Sequence, residues 1–195
     1  MNNVLARLRS ATHPMHVRLN HHPRLLGLLK KDLQLASYIA VLATYLPLYK
    51  KLEKQILQFA SQHSLPFDYS TRVKQHWLQE DLDYLKVDPK NYLPDSAIEI
   101  QEIKSVGEWV GLLYPIEGST LGGQVILKHV QSNLGLTREG GARFFSGYGQ
   151  NTPLLWNEFG QFANSILRDE TECKLAEITA IKLFEKFEEA LNEHV

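Results

Sequence analysis

Apolar residues recur along this chain every three or four positions and nowhere persist at every second position, a pattern that predicts helices and no sheet. Near the N-terminus Val4, Leu8, Ala11, Met15 and Leu19 form the first stripe. Pro14 falls inside it, so either the helix bends there or a new one starts from a Thr12 cap with Pro14 in its first turn. A long second helix is expected from about Ser37, with Tyr38, Val41, Tyr45, Leu48, Leu52, Ile56 and Phe59 on one face and Pro47 as a bend. Val73, Trp77, Leu82 and Leu85 mark a third, and Pro89 and Pro94 a loop after it. From about Ala97 to Val130 another long stripe runs through Ile100, Ile103, Val106, Trp109, Val110, Leu113, Val125 and Ile126, with Asn133-Leu134-Gly135 as its stop. A short helix after Thr137 should close at Ser146-Gly147-Tyr148-Gly149. Pro153 suits the first turn of the next helix, and the last is expected from about Thr171 to Leu191. No repeat, low-complexity tract or linker composition divides the chain. The expected architecture is all-α, one domain over residues 1–195 with roughly seven to nine helices.

The stripe beginning near Ala97 contains an anomaly. Glu117-Gly118-Ser119-Thr120-Leu121-Gly122-Gly123-Gln124 sets three glycines into a helix interior. Each costs about 1 kcal/mol relative to alanine. Such a segment is expected where the backbone bends, or where something flat and bulky must approach it closely.

Composition narrows the chemistry. The chain has 195 residues, 44% hydrophobic and 22% charged, with a formal net charge of −1. That is enough for a sizeable core and gives no general attraction to nucleic acid or membrane. No apolar run is long enough to span a bilayer, and the N-terminus lacks the apolar core of a signal peptide, so the expected location is the cytoplasm. The single Cys173 excludes an internal disulfide and a Cys-based metal cluster, and is expected to be a packed thiol. No histidine has a glutamate three residues before it, as a di-iron bundle site needs, and no HExxH, P-loop or dinucleotide fingerprint occurs. His16 alone reads more readily as a structural histidine, and the glycines alone more readily as close helix packing. Together they fit a flat, mostly apolar cofactor between two helices: one supplies an imidazole to a metal, the other a bare backbone against the opposite face. That is the arrangement of a heme with an axial histidine and a crowded distal side.

The segment Leu8-Arg9-Ser10-Ala11-Thr12-His13-Pro14-Met15-His16 resembles the proximal segment of heme oxygenases, and Gly118-Ser119-Thr120-Leu121-Gly122-Gly123-Gln124-Val125 resembles their distal helix. Tyr49 with Leu52-Glu53, Leu78-Gln79-Glu80-Asp81-Leu82 and Phe144-Phe145-Ser146-Gly147-Tyr148-Gly149 extend the similarity over most of the chain. The Glu117-Gly118-Ser119 form is nearer to bacterial members, including those that supply biliverdin to bacteriophytochromes, than to mammalian ones. The resemblance implies a multi-helix fold with heme between a proximal N-terminal helix and a kinked distal helix. It places the iron ligand at His16, with Asn20 as the acceptor for the other ring nitrogen where mammalian relatives carry a glutamate. It places Gly118, Ser119, Gly122 and Gly123 against the heme, the first three as the groups that steer oxygen. It assigns Arg9, where relatives have a lysine, and Tyr114 to the heme propionates. Ser119 stands where mammalian enzymes have an aspartate, so proton delivery rests on another network. The uncharged Phe159-Gly160-Gln161-Phe162 offers no match to the basic residue that binds a propionate in mammalian enzymes, which leaves the choice of meso carbon open.

The activity implied is oxidation of heme, as both cofactor and substrate, by O2 to biliverdin, CO and ferrous iron. The chain has no flavin or iron–sulfur signature, so electrons come from a reductase or ferredoxin-like protein. A bacteriophytochrome is the biliverdin acceptor the bacterial resemblance suggests. The alternative readings are a heme storage, delivery or sensor protein without turnover, a relative holding another ligand, and a helical interaction module.

Overall fold

A computed structural model describes residues 3–88 and 99–193, and among these the chain forms eight α-helices and two 3-10 turns and no strand. In order they are α1 Val4–Asn20, α2 Pro23–Gly27, α3 Leu35–His63, a 3-10 turn Tyr69–Arg72, α4 Gln75–Tyr84, α5 Val106–Leu134, α6 Arg143–Ser146, a 3-10 turn Gly149–Asn151, α7 Thr152–Ile166 and α8 Glu170–Asn192. The all-α expectation holds. Local chemistry fixes the ends: the Asp169 carboxylate accepts from the N–H groups of Thr171 and Glu172, the Ser105 hydroxyl from that of Glu108, and Gly135 closes α5 at φ 66°. Cys173 is buried. No described helix is long and apolar enough to cross a membrane.

Three local expectations are corrected. α1 continues as one helix through Pro14 and no new helix starts there, because Thr12 is buried and donates its hydroxyl to the Leu8 carbonyl at 2.7 Å instead of capping one. α5 begins at Val106, since Ser105 is extended and caps it; residues 99–105 are irregular, and Ala97 and the loop at Pro89 and Pro94 lie outside the described residues. The segment after Thr137 first turns back through Gly140 and Gly141. Only then does α6 start, with the N–H groups of Arg143 and Phe144 donated to the Asp81 carboxylate of α4 at 2.6 and 2.8 Å.

α8 is the floor on which the site is built. Arg7 pairs with Glu170 and Glu177, and Arg18 with Glu188, which lays α1 along α8 in the same direction. On the other side Gly107 and Gly111 let the α5 backbone rest on Glu172 and Ala176, again in the same direction. A Cβ at Gly111 would stand 2.6 Å from the Ala176 carbonyl oxygen, so only glycine permits this approach. α1 and α5 are thus parallel walls on α8 with little contact between them. α3 closes the back, with Tyr45 and Tyr49 packed on Phe187.

Candidate functional site

Thr12 on α1 and Tyr114 on α5 are close enough for the threonine to act on the phenol's pKa. One turn further along each helix stand His16 and Gly118, and a turn beyond those Asn20 and Gly122. Phe184 of α8 presents its ring edge-on to His16 at 5.6 Å, between the walls. Both helices carry large apolar side chains exposed to solvent: Val17 on α1, and Leu121 and Val125 on α5, the last 55% exposed. Two walls with such side chains suit an apolar ligand between them.

His16 is an exposed residue whose ring packs against Phe184. The partial desolvation, followed by the positive fields of His13 and Arg9, lowers its pKa below the ordinary 6.5, which favours the neutral imidazole with a lone pair to offer. Asn20 approaches the Nδ1 atom at 3.3 Å, but through its amide nitrogen, not the oxygen expected from the sequence. An amide exchanges the two by a half-turn, which would make Nδ1 the protonated nitrogen and free the Nε2 lone pair. Arg9 is exposed on α1 before His16, and its positive field reaches both His16 and Tyr114. Burial raises the pKa of Tyr114 and keeps it a neutral donor.

The glycines divide by face. A Cβ at Gly118 would touch the ring of Trp156 at 3.6 Å, and one at Gly122 would meet nothing within 4 Å. Gly122 therefore offers bare backbone to the cleft. Gly123 points the other way: it is buried, and its Cβ would lie 3.1 Å from the Phe145 carbonyl, so its lack of a side chain serves packing on α6 instead of the heme contact expected for it. Ser119 is exposed, donates to the Ile116 carbonyl at 2.7 Å and lies 3.3 Å from the Tyr49 hydroxyl. Burial raises the pKa of Tyr49, and Ser119 offsets part of that rise. A separate cavity of about 540 Å³ between α3 and residues 99–103 shares no residue with this cleft.

Among the described residues no group of three or more His, Cys, Asp or Glu side chains could hold a metal ion. A lone His16 suits an iron that brings its other ligands with it. A neutral imidazole, a flat apolar slot, a wall without side chains at Gly122, and Arg9 with Tyr114 for carboxylates together fit heme. The family model described as heme oxygenase matches residues 2–193. The chain belongs to the heme oxygenase family. It is accordingly an enzyme, with heme as cofactor and substrate. No curated protein sequence matches it. Among solved structures, the NO- and CO-bound heme oxygenase from Neisseria meningitidis is similar at a TM-score of 0.79 and 20% identity, over 99% of this chain and 92% of that one. Heme oxygenase-2 from Synechocystis sp., in complex with heme and NO, matches at 0.81 and 17%, over 98% and 85%. The heme oxygenase from Leptospira interrogans matches at 0.76 and 15%, over 98% and 99%. At these identities the likeness establishes the heme oxygenase fold.

Behind α5 lies a buried ionic cluster that the sequence reading missed. Glu117, 1% exposed, accepts from Lys74 Nζ at 2.6 Å, from Arg72 at 3.0 Å and from the Tyr148 hydroxyl at 2.9 Å. Lys74 is fully buried, and its Nζ also donates to the Arg72 carbonyl and to Tyr148, both at 2.9 Å. Three acceptors around one nitrogen match the three protons of an ammonium. Burial pulls the Lys74 pKa down, and Glu117 pulls it back up. Glu53 completes the cluster by accepting from the N–H groups of Lys74 and Gln75 and from the Tyr69 hydroxyl.

Proposed function

We propose that this chain binds heme between α1 and α5 as a single domain and opens it to biliverdin, CO and ferrous iron. The observation that carries the reading is the placing of His16 and the bare backbone of Gly122 on opposite walls of one apolar cleft. His16 would hold the iron, with Phe184 packed against its ring. Asn20, with its amide turned, accepts from Nδ1 and fixes the tautomer. Arg9 and Tyr114 hold the propionates; the guanidinium suits a carboxylate, and a neutral phenol donates to one. Heme, once bound, supplies both the iron at which O2 is activated and the macrocycle that is cut. The backbone of Gly118 and Gly122 closes the opposite face and restricts the approach to one meso position. The Ser119 hydroxyl on that wall, with the buried Tyr49 hydroxyl of α3 behind it, carries protons in place of a carboxylate. Electrons come from a separate reductase or ferredoxin-like protein, the setting is cytoplasmic, and a bacteriophytochrome is a fitting acceptor of the product.

Hemin added to the purified protein should give a Soret band that His16→Ala abolishes or moves. Reductant and oxygen should then bleach that band and yield a bilin. A Soret band that persists without bilin would leave only heme binding, and hemin binding indifferent to His16→Ala would sink the ligand assignment.

A further inference from the structure

We propose that Glu117, anchored by Arg72, Lys74 and Tyr148, is a positioning residue that sets where the Gly118–Gly122 backbone stands over the heme and thereby which meso carbon is oxidised. The inference rests on the heme-site reading above. A helix face kept free of side chains for a ligand cannot be located by contacts on that face. It must be held from behind. Glu117 is the residue directly before Gly118, and it is buried on the side away from the cleft.

Its donors come from separate segments: Arg72 and Lys74 from the chain leading into α4, Tyr148 from the loop after α6. Arg72 also donates to the Leu155 carbonyl at 2.9 Å and to Glu158 at 2.8 Å, both on α7, the helix whose Trp156 covers Gly118. One cluster therefore ties the start of the glycine segment to the helix that lies over it. Aromatic rings enclose the cations, with Lys74 at 5.2 Å from Tyr69 and 5.1 Å from Tyr148, and Arg72 at 4.6 Å from Phe67. Water is excluded, so a small slip of α5 would break charge-assisted bonds that nothing else replaces. Apolar packing alone would let the helix slide at much lower cost.

The test compares the parent protein with Glu117→Gln and Tyr148→Phe. Glu117→Gln keeps the shape but removes the charge; Tyr148→Phe removes one hydroxyl and leaves both ion pairs. Each hemin complex is assayed for hemin affinity, for the C–O stretching frequency of its ferrous CO form, and for the ratio of bilin isomers. The expected result is hemin affinity within about threefold of the parent, a shifted or broadened C–O stretch, and an isomer ratio changed by about threefold or more in Glu117→Gln and less in Tyr148→Phe. Folded variants with the parent's C–O frequency and isomer ratio would overturn the proposal and leave the cluster a stability element only. If Glu117→Gln does not fold, Tyr148→Phe decides by the same two readouts. A parent protein that binds hemin without turnover contradicts the functional reading instead, and the C–O frequency still reports the position of α5.

Discussion

Alanine at Gly122 should make the free protein more stable and the enzyme worse. Gly122 lies inside α5 in ordinary helical backbone, and an added Cβ meets nothing within 4 Å. The gain in the free protein is therefore the helix term alone, roughly 0.5–1 kcal/mol, or an increase of about 1–4 °C in Tm for a chain of this size. The same methyl enters the space in which the heme face is expected. Overfilling a packed contact costs about 1–3 kcal/mol, which is roughly a five- to hundredfold loss of hemin affinity. Gly111→Ala on the same helix is the control with the opposite sign. There the Cβ lands 2.6 Å from the Ala176 carbonyl and 2.8 Å from Thr179 Cβ, so the helix gain is outweighed and Tm falls. Thermal and urea melts of hemin-free protein, followed by hemin titration and single-turnover oxidation, measure all of these quantities. A Gly122→Ala protein that is less stable than the parent would refute the open-face reading. One that is more stable and still binds and oxidises hemin as the parent does would refute the placing of the heme.

Arg9→Ala should weaken hemin binding by roughly ten- to a hundredfold, and Tyr114→Phe by less, as expected for charge-assisted and neutral hydrogen bonds to a carboxylate. Titration with the dimethyl ester of hemin checks this, because an unchanged difference between Arg9→Ala and the parent on the ester would rule out the propionate contact. In hemin-free protein the His16 ring protons should titrate by NMR with a midpoint below 6.5, from its desolvation and the nearby His13 and Arg9; a midpoint above 6.5 contradicts the neutral-ligand argument. Asp81 gives a stability signal of unusual sign. Burial raises its pKa from 3.8 to about 6, so between those values the folded chain holds a proton that the unfolded chain has released, and this group's contribution falls as pH rises through that window. Asp81→Asn should flatten that part of the pH dependence in urea melts, and a slope equal to the parent's would count against the burial argument.

Much of this was legible in the sequence because periodicity and capping are local. The stripes at Tyr38–Phe59 and in the C-terminal helices, the Pro153 start and the Gly135 stop all depend on residues within a turn of one another. His16 and Gly122 stood out in the sequence because each residue is odd in its place. What escaped depends on contacts between distant segments. Arg72 and Lys74 sit in a polar stretch that reads as surface, and nothing local reveals that both are buried on Glu117. A signal did exist: Glu117 is the only charged residue between Val110 and Leu127. A lone acid in so apolar a run needs a buried partner. Which atom of the Asn20 amide faces His16 was not legible, because sequence spacing says nothing of which way an amide points.

The glycines of α5 look alike in sequence yet do two different jobs. Gly107 and Gly111 set its first half on the backbone of α8, and Gly123 sets its second half against Phe145. Trp109 donates its indole N–H to the Ile56 carbonyl at 3.0 Å, and Gln124 donates to the Ser146 carbonyl at 2.9 Å. These contacts hold α5 on both sides of the cleft and involve no cleft residue. In the segment between them Gly118 lies against Trp156 and Gly122 has open space beside it, and Glu117 ties the segment to Arg72 and Lys74. Hemin removal should therefore leave α5 helical and in place, so binding needs little reordering of the distal wall. That lowers the cost of association. It also explains how the helix can tolerate Gly118 and Gly122: the stability given up there is supplied by contacts made elsewhere along α5.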